Sequence, residues 1–95
     1  MNSAYQVIWK KMVIEEQIAS FVVLAMERGD GVDAITQAMN RIDFLLQNSP
    51  QDRGESRDSG KRILIVPPLS VIYRIHEADH KVFVLQARYS PRARE

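Results

Sequence analysis

Cysteine is absent from the 95 residues. Its absence excludes a disulfide framework, a thiolate zinc site and a cysteine nucleophile, and it agrees with a reducing compartment. Glycine and proline are scarce, at four each, which excludes collagen-like and low-complexity chains. The longest uninterrupted apolar run, Phe21 to Met26, falls far short of the roughly 20 residues that span a bilayer. The opening residues mix polar and apolar side chains, without the apolar stretch of a signal peptide. No period recurs along the chain, which argues against a solenoid. An excess of one charge is missing too: 13 Lys+Arg against 12 Asp+Glu give a net charge of +1. With 45% hydrophobic and 26% charged residues, the expectation is one globular domain over 1–95, free of membrane and located in the cytoplasm.

The small net charge hides an asymmetry. Residues 1–60 carry six basic and nine acidic side chains, a net of −3, and residues 61–95 carry seven basic and three acidic, a net of +4. A basic half of this kind suits contact with phosphate; a solvated surface accounts for it equally well.

The pattern of apolar residues changes period along the chain. Tyr5, Val7 and Trp9 alternate in an aromatic and β-branched stretch, which predicts a short strand. Ile14, Ile18, Phe21, Val22 and Ala25 then recur at helical spacing, with Glu15, Glu16 and Gln17 on the wet side, and Arg28-Gly29 marks the stop. Asp30 or Asp33 can cap a second helix whose apolar stripe is Ile35, Ala38, Met39, Ile42, Leu45 and Leu46. Asn48-Ser49-Pro50 ends it. A short turn between the two helices predicts an antiparallel hairpin. Residues 48–60 lack any large apolar side chain, as expected of a mobile or binding loop. Three strand-like runs follow: Ile63 to Val66, Val71 to Ile75 and Val82 to Leu85. The expected fold class is therefore α+β, a small antiparallel sheet packed against an N-terminal helical hairpin in the order β-α-α-β-β-β.

Several motifs invite catalytic readings that their context opposes. His76-Glu77-Ala78-Asp79-His80 matches the H-E-x-x-H pattern of zinc proteases, which needs a helix to aim both imidazoles at one metal. Here it lies between two strand-like runs, where a hairpin turn is expected. Ser70 follows Pro-Pro-Leu and lacks the G-x-S-x-G elbow of a nucleophilic serine. Gly29-Asp30-Gly31 lacks the spacing and the lysine of a phosphate-binding loop. The second helix carries only Arg41 as a base, which is poor for reading DNA. No metal and no cofactor is expected.

What remains is a basic sheet. Alternation puts Ser70, Ile72, Arg74 and His76 on one face, and Val71, Tyr73 and Ile75 on the other. In the last strand Val84, Gln86 and Arg88 share one face, and Phe83, Leu85 and Ala87 the other. The more apolar set in each strand is expected to face the helices. Arg74, Gln86 and Arg88 then stand on the open face, with Lys61 and Arg62 entering from the preceding strand and Arg92 extending the cluster. Such a set of cations suits backbone phosphate, or the charge that develops as RNA is cleaved. A solvated face, or one covered by a partner protein, uses the same residues.

The order of elements and several residues together resemble the RelE/ParE superfamily of toxins from bacterial type II toxin–antitoxin (plasmid stabilisation) systems. The resemblance runs over nearly the whole chain. It rests on an opening strand ending at Trp9, the hairpin with Ala34-Ile35, Ile42 and Leu45, and the Pro50, Gly54, Arg57, Gly60 connector. It continues through Arg62-Ile63-Leu64-Ile65, Val71-Ile72-Tyr73-Arg74-Ile75, Val82-Phe83-Val84-Leu85 and Ala87-Arg88-Tyr89. It implies a sheet cradling two helices, an antitoxin partner, and one of two activities. The RelE-like branch cleaves mRNA on the ribosome, and the ParE-like branch inhibits DNA gyrase without a hydrolytic site. On the RNase reading, Arg74, Arg88 and Tyr89 form the catalytic set, Tyr89 as acid or base, while Lys61, Arg62, Gln86 and Arg92 hold RNA phosphate. This sequence departs from the RNase pattern at Ser70, where an arginine is expected, and at Ser90, where a histidine is expected. Those departures favour the binding branch, or a degenerate toxin that binds only its antitoxin. Val13, Val23 and Met26 on the hairpin leave room for a homodimer.

Overall fold

The computed structural model describes residues 4–90. The opening β-branched stretch forms strand β1, Gln6–Trp9. A π-helical turn, Val13–Ile18, then runs directly into helix α1, Ala19–Arg28. Gly29 closes α1 in the left-handed region (φ 75), with its N–H directed at the carbonyls of Ala25 and Met26, the conformation in which glycine costs least. Helix α2, Val32–Gln47, follows almost at once, so the hairpin is as expected. Neither aspartate caps α2. Asp30 accepts from Arg28 Nε at 2.9 Å, and Asp33 lies in the first turn, where a carboxylate favours the helix dipole.

The π-helical turn shifts the buried face of the first helical segment. A π turn holds an extra residue, so the apolar stripe is rotated relative to a uniform α-helix. Val13 is fully buried and Ile14 is 39% exposed, the reverse of the expectation. Gln17 leaves the wet side it was expected to share with Glu15 and Glu16 and becomes half-buried. Further along, Ile18 and Ala25 are buried with Phe21 and Val22 packed beside them. In α2 the buried residues are Ile35, Ala38, Ile42 and Leu46, a helical stripe. Ile42 and Leu46 are completely enclosed, and each contributes about 1.5–3 kcal/mol by burial.

Five strands make one sheet in the order β1-β5-β4-β3-β2. Strands β2 (Glu55–Ser56), β3 (Lys61–Val66), β4 (Leu69–His76) and β5 (Lys81–Tyr89) pair antiparallel in succession. Strand β1 lies parallel to β5, and the helices belong to the long crossover that a parallel pair requires. Leu69, Val71 and Tyr73 of β4 are buried, so the expected face of that strand meets the helices.

In β5 the expected alternation fails halfway. Tyr73 pairs with Val84 but Ile72 pairs with Gln86, so Leu85 is an extra residue, a β-bulge. Before it Val82 and Val84 are core; after it Ala87 is core. Val84 therefore faces the helices, and Phe83, opposite Arg74, stands on the open face. Gln86 and Arg88 keep the face expected of them.

The polar connector holds short 3-10 turns at Pro50–Asp52 and Asp58–Gly60 on either side of β2. It is tied to the sheet by the fully buried Tyr73, whose hydroxyl lies 2.9 Å from the Pro50 carbonyl and 2.7 Å from that of Arg53. Gly54 (φ +62) crosses β3 so closely that a Cβ there would sit 2.1 Å from the Ile63 carbonyl oxygen. From the same connector turn, Gln51 donates to both Tyr5 and Glu77, and Tyr5 donates to Glu77 Oε1 at 2.7 Å. His80 stacks on Tyr5 with ring centroids 3.8 Å apart. The H-E-x-x-H segment is thus a β-turn, as expected, with one histidine at the end of β4 and the other on Tyr5. Among the described residues no helix is long and apolar enough to cross a membrane.

Candidate functional site on the open face of the sheet

Antiparallel pairing puts directly opposed residues on the same face. The register sets Arg88 opposite Ser70, Gln86 opposite Ile72, and Ile72 opposite Ile63. These residues and Ser90 line a depression of about 340 Å³. Its floor is isoleucine, and its polar groups are one guanidinium, one carboxamide and two hydroxyls. Arg88 is exposed, and no ion pair involves it among the described residues. A guanidinium beside hydroxyl and amide groups recognises a carboxylate or a phosphate well. The isoleucines supply contact area, and the set holds a charged group beside an apolar one.

Arg74 lies on the same face, four residues along β4 from Ser70, about 13 Å from the Arg88 row. It stands between Lys61 and Phe83 on the neighbouring strands. Its guanidinium donates to the Ser59 carbonyl at 2.9 Å, and its buried Nε has no hydrogen-bond partner among the described residues. Lys61 is exposed beside it. The open face therefore carries Arg88 at one end and the Arg74–Lys61 pair towards the other, with Lys81, opposite His76, beyond that pair.

Two other residues expected at the site lie elsewhere. Arg62 is opposite Tyr73 and hence on the helix side of the sheet. Its Nε donates to the Arg53 carbonyl at 3.0 Å and its terminal nitrogen to the Gly54 carbonyl at 3.3 Å, so it holds the connector. Adjacent residues in a strand point to opposite faces, and Lys61 and Arg62 cannot both reach the open one. Tyr89 also faces the helices. Its ring stacks on Phe21 of α1 with centroids 5.6 Å apart, on the far side of the sheet from Arg88. Arg92 lies outside the described residues.

Three features of this region were not among the expectations from sequence. The β-bulge at Leu85 resets the face of half a strand. The carboxamide of Gln17, in the π-helical turn, accepts a 2.7 Å hydrogen bond from the Ala87 N–H. The exposed Ile65 (66%) continues the apolar stripe of Ile63 towards the end of β3. The first two depend on where a strand or a helix turn gains a residue, which composition does not show; the third follows from plain alternation in β3, with Leu64 buried between Ile63 and Ile65.

No protein-family model matches the chain, and no curated protein matches it. Solved structures do. A chain of the RelBE2 toxin–antitoxin complex of Mycobacterium tuberculosis is 12% identical, with a TM-score of 0.67 over 97% of this chain and 98% of that one. A chain of the chromosomal ParDE toxin–antitoxin system of P. aeruginosa is 16% identical, with a TM-score of 0.72 over 92% of this chain and 97% of that one. The isolated RelE toxin of E. coli is 13% identical, with a TM-score of 0.62 over 95% of this chain and 88% of that one. Similarity over nearly the full length of three such structures, with the helical hairpin and sheet described above, identifies the architecture: this chain has the RelE/ParE toxin fold.

Proposed function

We propose that the chain is the toxin component of a type II toxin–antitoxin pair and that it arrests growth by binding its target through the open face of the sheet, without cutting RNA. The observation that carries this reading is the separation of Arg88 from Tyr89 by the sheet itself. Arg88 lines the depression with Gln86, Ser70 and Ser90, while the Tyr89 ring stacks on Phe21 behind it. General acid–base catalysis requires the proton carrier within hydrogen-bond reach of the reacting oxygen. Serine hydroxyls, a carboxamide and a guanidinium do not exchange protons readily near neutral pH. They do bind anions and polar backbone. On the ParE-like side of the family resemblance DNA gyrase is the first target to test, and the toxin–antitoxin systems among the similar structures support an antitoxin as the neutralising partner.

Cleavage of mRNA is the second reading. It is favoured by Arg88, Arg74 and Lys61 sharing one face with no acidic partner among the described residues. Induction of the chain in a heterologous bacterium separates the two. The binding reading expects growth arrest that is relieved by Arg88→Ala, with intact transcripts on primer extension. Mapped cleavage sites that vanish in Arg88→Ala would replace it with the RNase reading.

A further inference from the structure

The open-face site depends on how β5 is held beyond its bulge. Strand β1 supports β5 only as far as Val84: the pairing ends at Trp9 with Val84, and the Lys10 N–H donates to the Val84 carbonyl at 3.1 Å. From Leu85 onward no strand lies on that edge of β5 among the described residues. The bulge also changes which residue directs its backbone groups outward, so that the Ala87 N–H points away from β4. Ala87 is only 3% exposed, and a buried amide without an acceptor is costly.

The acceptor is a side chain. The Gln17 carboxamide oxygen receives the Ala87 N–H at 2.7 Å across 70 residues of sequence. Gln17 reaches it from the last-but-one position of the π-helical turn Val13–Ile18, and turns of this kind often mark functional places in helices. One carboxamide thus takes the place of a missing strand residue on this edge. The next residue along β5 is Arg88, flanked by Ala87 on Gln17 and Tyr89 on Phe21.

We infer that Gln17 is a positioning residue for Arg88: by accepting the Ala87 N–H it fixes the bulged half of β5 and so aims the guanidinium into the Ile63–Ile72–Gln86 depression. Its functional consequence rests on the binding role proposed for the open face; its structural part does not. The hydrogen bond of Gln17 goes to the backbone of Ala87, which is not among the residues lining the depression, so the effect proposed for it on function passes through the β5 backbone.

The test compares three variants of the full chain. Gln17→Leu keeps the bulk and removes the acceptor. Gln17→Glu keeps an oxygen acceptor in place. Phe21→Leu loosens the same edge through Tyr89 without touching the Ala87 amide. Amide hydrogen exchange and the Arg88 Nε–H signal are read by NMR, and growth arrest is scored at matched protein abundance. Gln17→Leu is expected to speed Ala87 exchange about fivefold to tenfold, to shift the Arg88 signal and to weaken arrest, while Gln17→Glu restores all three. Phe21→Leu at a similar loss of stability is expected to leave the Ala87 amide protected. An unchanged Ala87 amide and Arg88 signal in Gln17→Leu would overturn the inference, as would a Gln17→Glu chain that behaves like Gln17→Leu. If the wild-type chain does not arrest growth, the proposed function fails, and the NMR signals alone decide the role of Gln17.

Discussion

Replacing Tyr73 by phenylalanine removes one oxygen atom from the most enclosed point between the sheet and the polar connector. The ring is fully buried, and phenylalanine fills the same space, so no cavity term enters. What is lost is the hydroxyl at 2.9 Å from the Pro50 carbonyl and 2.7 Å from the Arg53 carbonyl. Neither carbonyl is orphaned outright. The Arg53 N–H still reaches Pro50 O at 3.3 Å, and Arg62 Nε still reaches Arg53 O at 3.0 Å. The cost therefore belongs to the lower part of the range for a buried polar loss, about 1–2 kcal/mol. For a domain of this size that lowers Tm by roughly 5–10 °C. The loss is local to the connector, so trypsin is expected to nick Arg53 and Arg57 sooner in the variant under native conditions. Burial pushes the Tyr73 hydroxyl above its ordinary pKa of 10.0, against the pull of Arg62 and Arg53. Because the folded value is raised, the associated stability is present below pH 10 and is lost as pH rises through the raised value. Tyr73→Phe accordingly flattens the alkaline limb of the stability profile. A Tm within 1 °C of wild type, together with unchanged trypsin sensitivity, would refute the anchoring role.

Gly54→Ala forces a Cβ to within 2.1 Å of the Ile63 carbonyl at a positive φ of 62°, and chemical denaturation should show a loss of at least about 2 kcal/mol; a loss below about 0.5 kcal/mol would count against the close crossing. Glu77 accepts from Tyr5 and then Gln51, which hold its carboxyl below the ordinary value of 4.5. A depressed folded pKa contributes stability above about pH 4.5 and loses it as pH falls through the folded value, so Glu77→Gln should flatten the acid limb of the urea midpoint against pH, while an unaltered slope would argue against this cluster. The single tryptophan, Trp9, donates to Asp43 at 2.7 Å; Asp43→Ala should cost about 1 kcal/mol and shift the indole emission, and an unchanged spectrum would place the indole elsewhere.

The helical hairpin and the face of β4 were readable because each rests on a long regular pattern. Arg28-Gly29 ends one helix, and Ile35, Ala38, Ile42 and Leu46 repeat cleanly in the next. Strand β4 alternates through eight residues without interruption, so Ser70, Ile72 and Arg74 fall on the open face as expected. What escaped is what a single inserted residue does. Leu85 as a bulge turned Val84 inward and Phe83 outward, and the π turn exchanged Val13 for Ile14 and drew Gln17 to the sheet. The pairing of β1 with β5 was also hidden, since a crossover pairing of residues 6–9 with 81–84 leaves no local trace. The candidate site was half legible. Arg74, Gln86, Arg88 and Lys61 share the expected face. Arg62 follows strand parity to the other side and holds the connector there, and Tyr89 packs on Phe21.

With Arg88 on one face of the sheet and Tyr89 on the other, this chain is expected to act by binding rather than by cutting. The decisive assay puts the purified chain into two reactions run side by side: supercoiling of relaxed plasmid by DNA gyrase, and translation of a defined mRNA by purified ribosomes followed by primer extension. Binding through the open face should inhibit supercoiling, with Arg88→Ala raising the concentration required by at least about tenfold, the loss expected for one desolvated charged contact, and should leave the mRNA intact. Cleaved mRNA, with supercoiling unaffected at the same concentrations, would contradict it.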